Sequence, residues 1–280
     1  MAEWWQHLPE HLNPIAFTVG FFSVRWYSLA WLVGFFLAYR YCMWREKKHD
    51  HLLSQGDWYD LFLVLFVGVL IGGRLGYFVL YQPTLFLENP FLIVWPWERG
   101  TGAWLGFSGM SFHGGLIGGM VALWFVTQKK QLSFFEVADR LALVVPITLF
   151  FGRIGNFLNQ ELSGRLTDAW WGMYFPSILP DGMLRHPSAL YEAFGEGPFL
   201  FMALFFLQRH IRFSGGMSAA LLVIYGMIRF ILEYFREPDA GAYLFFGIWT
   251  PGQGYSLLMV AAGSVLFWWL REKNHDIIGR

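Results

Sequence analysis

The sequence predicts an all-α polytopic membrane protein with about seven transmembrane helices. Three observations predict it. Of 280 residues, 56% are hydrophobic, 20% aromatic and only 14% charged, where a soluble domain carries about a quarter charged residues. Apolar runs of about 20 residues, enough to cross a bilayer, recur along the whole chain. Basic residues gather after every second run, on one side of a membrane. A single water-soluble core would have to bury an unusual load of 30 Phe and 15 Trp, so lipid is the expected solvent. The formal net charge is zero, which implies no bulk attraction to nucleic acid.

The start of the chain, MAEWWQHLPEHLNP, has no Lys or Arg before a hydrophobic stretch and does not read as a cleaved signal peptide. Span one is expected over residues 18–43, with an interfacial segment at its beginning. The others are expected over 58–81, 111–128, 134–158, 187–208, 216–235 and 252–270. Arg45, Lys47 and Lys48 follow span one, Lys129 and Lys130 span three, Arg209 and Arg212 span five, and Arg271, Lys273 and Arg280 span seven. The positive-inside rule makes that side cytoplasmic. The amino terminus is then extracytoplasmic and the carboxyl terminus cytoplasmic. Outer loops hold few basic residues: Arg99, Arg165 and Arg185, with Arg236 at a helix end. Two of them are long. Loop 82–110 carries WPWERGTGAW and loop 159–186 carries TDAWWGMYFPSILPDG. Their Trp and Tyr suit the headgroup region, either as an interfacial anchor or as a small outer cap. The one cysteine, Cys42, excludes an internal disulfide and reads as a packed thiol. No linker or repeat divides the chain, so residues 1–280 read as a single membrane-embedded domain.

Three arginines fall inside or at the edge of the apolar spans: Arg74, Arg153 and Arg229. Each costs on the order of 3 kcal/mol at a helix centre, so each must face protein, water or an anion. Arg153 lies near the outer end of span four. Arg229 lies about 13 residues into span six, roughly 20 Å from its cytoplasmic start at 1.5 Å per residue. His113 opens span three from outside, Tyr27 lies in the outer part of span one, and Glu233 and Arg236 finish span six. Five separate stretches therefore deliver polar groups to the outer half of the membrane. Arg229, Glu233 and Arg236, at i, i+4 and i+7, share a helix face, as do Arg153 and Asn156 at i, i+3. The first set is either a structural ion pair or a site in which Glu233 orients two guanidiniums. Arg74 sits beside Gly72 and Gly76, a small-xxx-small packing pattern, and could pair with a carboxylate such as Glu192 or Asp139. A guanidinium fork suits phosphate or carboxylate, and under the outer leaflet the abundant anion is a phospholipid headgroup. The spans carry too few carboxylates for a dicarboxylate metal site and no His/Cys ligand spacing. No nucleophile elbow or Walker loop is present. His113, flanked by glycines in GMSFHGGLIGG, can take a proton near neutral pH.

One stretch, GRIGNFLNQELSG from Gly152 to Gly164, matches Gly-Arg-x-Gly-Asn-Phe-apolar-Asn-x-Glu-x-x-Gly at every fixed position. With RWYSL around Tyr27, GGRLGY around Arg74, MSFHGGLIG around His113, SFFEVAD ending at Asp139, RHPSALYE from Arg185 to Glu192 and RFILEYFREPD from Arg229 to Asp239, the chain resembles the bacterial prolipoprotein diacylglyceryl transferases. The resemblance spans nearly all seven helices. It implies an inner-membrane enzyme, with its site toward the outer leaflet, that moves the diacylglyceryl group of phosphatidylglycerol to the lipobox cysteine of a preprolipoprotein and releases glycerol phosphate. Its partners would be phosphatidylglycerol, the lipobox peptide and membrane lipids, with no cofactor and no metal. Carried over by position, His113, Arg153 and Arg229 would be essential, and Tyr27, Asn156, Glu161, Gly164, Glu233 and Arg236 would shape the lipid site. Two stretches depart from the pattern. PWERGTGAWLGFSG before the histidine motif is longer, and TPGQGYSLLM has Pro251 where a less restricted residue is expected.

The chemistry follows from these residues. A thiol with an ordinary pKa of about 8.5 must lose its proton, and the leaving phosphate gains charge that paired guanidiniums stabilise in a water-poor site. Arg153 and Arg229 are therefore expected on the phosphate, with Glu161 and Glu233 orienting them. His113 is expected as the general base or as a headgroup ligand. Asn159 and Gln160 are expected to satisfy backbone at the helix end. Two other classes compete: a phospholipid transporter or flippase, against which no inverted repeat is visible, and a non-catalytic lipid-binding protein.

Overall fold

The computed structural model describes residues 2–20, 22–50, 52–93, 109–176, 178, 182–238 and 249–278. The described chain is mostly helical, as the composition predicts. In chain order the helices are α1 (Ala2–Gln6), α2 (Trp26–Arg45), α3 (Gln55–Tyr81), α4 (Pro83–Glu88), α5 (Phe112–Lys129) and α6 (Phe134–Ala142). They continue as α7 (Val145–Leu158), α8 (Ser188–Phe194), α9 (Leu200–Leu207), α10 (Gly216–Leu232) and α11 (Pro251–Ile278). Every expected span contains helix. By length and composition, Gln55–Tyr81, Ser188–Leu207 and Pro251–Asn274 can each cross a membrane, and α6 with α7 supplies a fourth if that bent pair is one span. The stretch WPWERGTGAW and the tip of the second outer loop lie outside the described residues.

The chain divides into two compact units, Met1–Cys42 with Ala138–Arg280, and Met43–Val137. In the second unit α3 and α5 run antiparallel with their glycines in register. A Cβ on Gly76 would lie 2.6 Å from Gly114 Cα, and one on Gly118 2.9 Å from Gly72 Cα. The small-residue stripe read around Arg74 is thus a helix crossing in which backbones touch. Gly118→Val is expected to destabilise the protein by about 3 kcal/mol through overpacking. Thermal unfolding in detergent checks this, and an unchanged midpoint would mean the crossing does not depend on these glycines. The outer face of α5 exposes Leu116, Ile117, Met120, Val121, Trp124 and Phe125, a surface that suits lipid rather than water. The opposite polar end is closed by a Ser54–Asp57 capping box on α3 and by Lys130, which donates to Asp57 and, at 3.1 Å, to Asp60.

The first unit corrects span one. Residues Ile15–Val19 and Phe22–Arg25 form an antiparallel hairpin, and the helix begins only at Trp26. Aromatic and β-branched residues favour strands, and Gly20 takes the left-handed φ of +60° at the tip. Span four is also not straight. It bends by 48° between α6 and α7, just before Pro146, which cannot continue a helix hydrogen-bond ladder. Asp139 on α6 holds the start of α10, accepting from Gly215 N and Ser218 N at 2.7 Å each and from the Ser218 hydroxyl at 2.7 Å. Leu143, Leu149, Leu200, Leu204, Met217 and Ile228 knit α7, α9 and α10 into one core. A second core of Phe157, Met173, Phe175 and Ala189 sits under the amino-terminal residues Trp5, Leu8 and Leu12.

Candidate active site

The buried charges of the first unit meet where α7, α8 and α10 pack. Arg153 comes from α7, Arg229 from α10, and Glu192 from α8. Glu196 lies in the π turn Gly195–Phe199 that joins α8 to α9 around Pro198. A π turn of this kind absorbs the hydrogen bond that proline cannot make and marks functional helices. Glu192 and Glu196 are both 0% exposed. Glu192 bridges the two arginines: Oε1 accepts from Arg229 Nη1 at 2.5 Å, and Oε2 lies 2.8 Å from Arg153 Nη1 as an ion pair. Glu196 takes Arg153 on the Nε edge, at 2.8 Å from Nε and 3.4 Å from Nη2, and lies 3.5 Å from Arg229 Nη1. Two carboxylates thus hold two guanidiniums side by side. Neither charge could be buried alone, because an unpaired ion in such a place costs several kcal/mol.

The face expected on span six is present in part, since α10 ends at Leu232 and Arg236 lies beyond it in a bridge to Gly164. Arg229 Nη2 donates to Glu233 Oε2 at 2.7 Å, and the Thr250 hydroxyl donates to Glu233 Oε1 at 3.0 Å. Arg236 Nη1 stands 4.0 Å from Glu192 Oε1, so Arg153, Arg229, Glu233 and Arg236 belong to one network. Three guanidiniums face three carboxylates in it, and its net charge is zero. Gly164 has a backbone role: it bridges to Arg236, and a Cβ there would lie 2.6 Å from Phe235 O. The same patch of main chain places Arg185, whose Nη1 donates to Gly164 O at 3.2 Å. Burial pushes the neighbouring His186 imidazole below its usual range, and its Nδ1 lies 3.1 Å from the Tyr191 hydroxyl.

Glu161 departs from expectation. Among the described residues it pairs with no arginine; it accepts from Asn159 Nδ2 at 2.9 Å and Asn156 Nδ2 at 3.3 Å. Asn159 and Gln160 do not bond the backbone at their own helix end with these groups: Asn159 Nδ2 goes to the Glu161 side chain, and Gln160 Nε2 donates to Pro9 O at 2.9 Å and Leu12 O at 3.2 Å in the amino-terminal segment. Gln160 and Leu162 both take positive φ, 56° and 58°, a costly conformation for side-chain-bearing residues that concentrates at functional loops. Tyr27 packs on α7 beside Arg153's turn: a Cβ on Gly155 would lie 3.0 Å from Tyr27 Cα. In the second unit, His113 opens α5, whose start is capped by the Ser111 hydroxyl accepting from Gly114 N at 3.2 Å. There Arg74 donates to the carbonyls of Gly109 at 3.3 Å and Ile93 at 3.4 Å and stacks on Phe78. The carboxylates suggested for it, Glu192 and Asp139, are engaged elsewhere.

Sequence reasoning missed Glu192 and Glu196 as the holders of Arg153. The pointer was present: two carboxylates at i, i+4 in the apolar span 187–208 require cations. Among the described residues, no group of three or more His, Cys, Asp and Glu side chains is arranged to hold a metal ion. What the cluster offers is a pair of fixed guanidinium forks for an oxyanion.

Comparison with known proteins gives a concordant result. A family model described as "Prolipoprotein diacylglyceryl transferase" matches residues 14–269. A Chlorobaculum tepidum protein is 39% identical over 279 residues, covering 98% of this chain and 96% of the relative. One from Idiomarina loihiensis is 42% identical over 265 residues, 94% of each. One from Wolinella succinogenes is 38% identical over 277 residues, 98% of this chain and 99% of the relative. Each of the three bears the name phosphatidylglycerol–prolipoprotein diacylglyceryl transferase.

Proposed function

The chain belongs to the prolipoprotein diacylglyceryl transferase family and transfers a diacylglyceryl group from phosphatidylglycerol to prolipoprotein, and we propose that it does so by stabilising the departing phosphate between Arg153 and Arg229. The observation that carries this mechanism is the pair of guanidiniums held together on Glu192 and Glu196. A guanidinium has five N–H donors, so carboxylate anchors fix its plane and leave donors for phosphate oxygens. Held in place before the reaction, the forks need no reorganisation as charge develops. The acceptor is the lipobox cysteine thiol. Its sulfur attacks the glycerol carbon bonded to the phosphate oxygen, the S–C bond forms, the C–O bond breaks, and the electron pair leaves with glycerol phosphate. His113 takes the thiol proton. Glu233 and Arg236 extend the anion site, and Tyr27, Asn156 and Glu161 line its approach.

In this reading residues 1–280 form one inner-membrane domain with seven spans, its amino terminus outside and its site toward the outer leaflet. The helices found in every expected span and the one-sided basic residues support that arrangement. A flippase reading is not favoured by the relatives' names. The test is diacylglyceryl transfer by the purified protein from phosphatidylglycerol vesicles to a lipobox peptide, followed against pH. With His113 as base, His113→Gln lowers the rate about 10²–10⁴-fold. Near-full activity of that variant at every pH would exclude the base role.

A further inference from the structure

The stretch TPGQGYSLLM, set apart in the sequence by Pro251, has a structural explanation. Pro251 is the first residue of α11, where its fixed φ suits a helix start and its missing N–H costs nothing. Thr250 caps that helix, its hydroxyl accepting from Gln253 N at 3.2 Å while Gln253 Oε1 accepts from Thr250 N at 3.1 Å. This reciprocal pair is a capping box. Its members are buried, Thr250 at 1% and Gln253 at 2% exposure. Unlike an ordinary cap, the hydroxyl has a second bond: its proton goes to Glu233 Oε1 at 3.0 Å. Gly252 leaves room for that carboxylate, since a Cβ there would lie 2.5 Å from Oε1 and 2.6 Å from the carboxyl carbon. The other oxygen, Oε2, takes Arg229 Nη2 at 2.7 Å.

We propose that Thr250 is a positioning residue for the transfer reaction: by fixing the plane of Glu233 against the start of α11, it aims the Arg229 guanidinium at the substrate phosphate. The helix cap and the anion site share one hydroxyl. Thr250 itself touches neither substrate. The proposal rests on the reading that Arg229 meets the phosphate.

The test uses the full chain in phosphatidylglycerol vesicles with a lipobox peptide. Thr250→Val keeps the shape and removes the hydroxyl. It lowers kcat/KM for phosphatidylglycerol about tenfold, the scale of one hydrogen bond to a charged group, and leaves KM for the peptide unchanged. Thr250→Ser restores the rate to within about twofold of wild type. In a Glu233→Ala background, Thr250→Val costs less than about twofold further, because its route is already cut. Should Thr250→Val fail to fold, Gly252→Ala replaces it. That variant keeps the cap, gains helix propensity, and still displaces Glu233, so the same tenfold loss is expected. A Thr250→Val variant that melts earlier with normal phosphatidylglycerol kinetics, or losses that multiply with Glu233→Ala, overturn the proposal. A Glu233→Ala variant that is itself normal also overturns the proposal, whereas wild-type turnover in Arg229→Lys overturns instead the reading that Arg229 meets the phosphate.

Discussion

Glu192→Ala is expected to lower diacylglyceryl transfer at least about a hundredfold and to destabilise the fold by about 3–5 kcal/mol. Glu192 is fully buried and touches both Arg153, at 2.8 Å, and Arg229, at 2.5 Å, where Glu196 comes no closer than 3.5 Å to Arg229. Its removal leaves two guanidiniums pressed together with only Glu196 shared between them. The stability loss follows from the buried charge left uncompensated, and the rate loss from forks that turn apart before substrate arrives. Glu192→Gln separates the two effects. The amide keeps the volume and one acceptor oxygen but removes the charge, so folding is partly retained while transfer stays impaired. Detergent melting curves and initial rates on the same preparations check both parts. An alanine variant with wild-type rate and melting point would mean that the arginines hold their places without it.

Arg229→Lys is the second large effect, with kcat down about 10²–10³-fold, the scale of losing one preorganised donor to a developing oxyanion. Lysine retains the charge, so phosphatidylglycerol still binds. It has no planar fork, and cannot at once meet Glu192, Glu233 and a phosphate oxygen in the guanidinium's geometry. Arg153→Lys is expected to behave alike, because its Nε edge on Glu196 is lost. Single-turnover rates beside equilibrium lipid binding distinguish this from simple loss of affinity. Wild-type turnover in Arg229→Lys would rule out bidentate stabilisation at that position.

Much of this site was legible from residue chemistry. An arginine inside an apolar run is costly enough to demand a partner, and Arg229 and Glu233 announced their pairing by i, i+4 spacing alone. The assignment of Glu161 to an arginine failed for a reason spacing does not carry: after Leu158 the chain leaves the helix through positive-φ residues Gln160 and Leu162. Helical offsets then say nothing of where Glu161 points, and the structure turns it to Asn156 and Asn159. Glu192 and Glu196 were within reach of the same cost argument that found the arginines. Glu192 was instead offered to Arg74, and Glu196, one turn further on, was not weighed. The fold shows the same division. Long uniform runs marked helix in each expected span, whereas the short helices α1 and α4, the hairpin before Trp26 and the bend before Pro146 depend on local chemistry that such runs do not carry.

The central claim is that Arg153 and Arg229 act on charge developing at the leaving phosphate. The direct measurement compares wild type with Arg229→Lys on two donors, phosphatidylglycerol and a diacylglyceryl sulfonate ester, whose leaving group is already a stable anion. The account predicts that a defect of about a hundredfold or more on phosphatidylglycerol shrinks to less than about threefold on the sulfonate, after subtraction of the uncatalysed thiol reaction. Defects of equal size on both donors would contradict it, because the arginine would then be serving binding or folding rather than the departing charge.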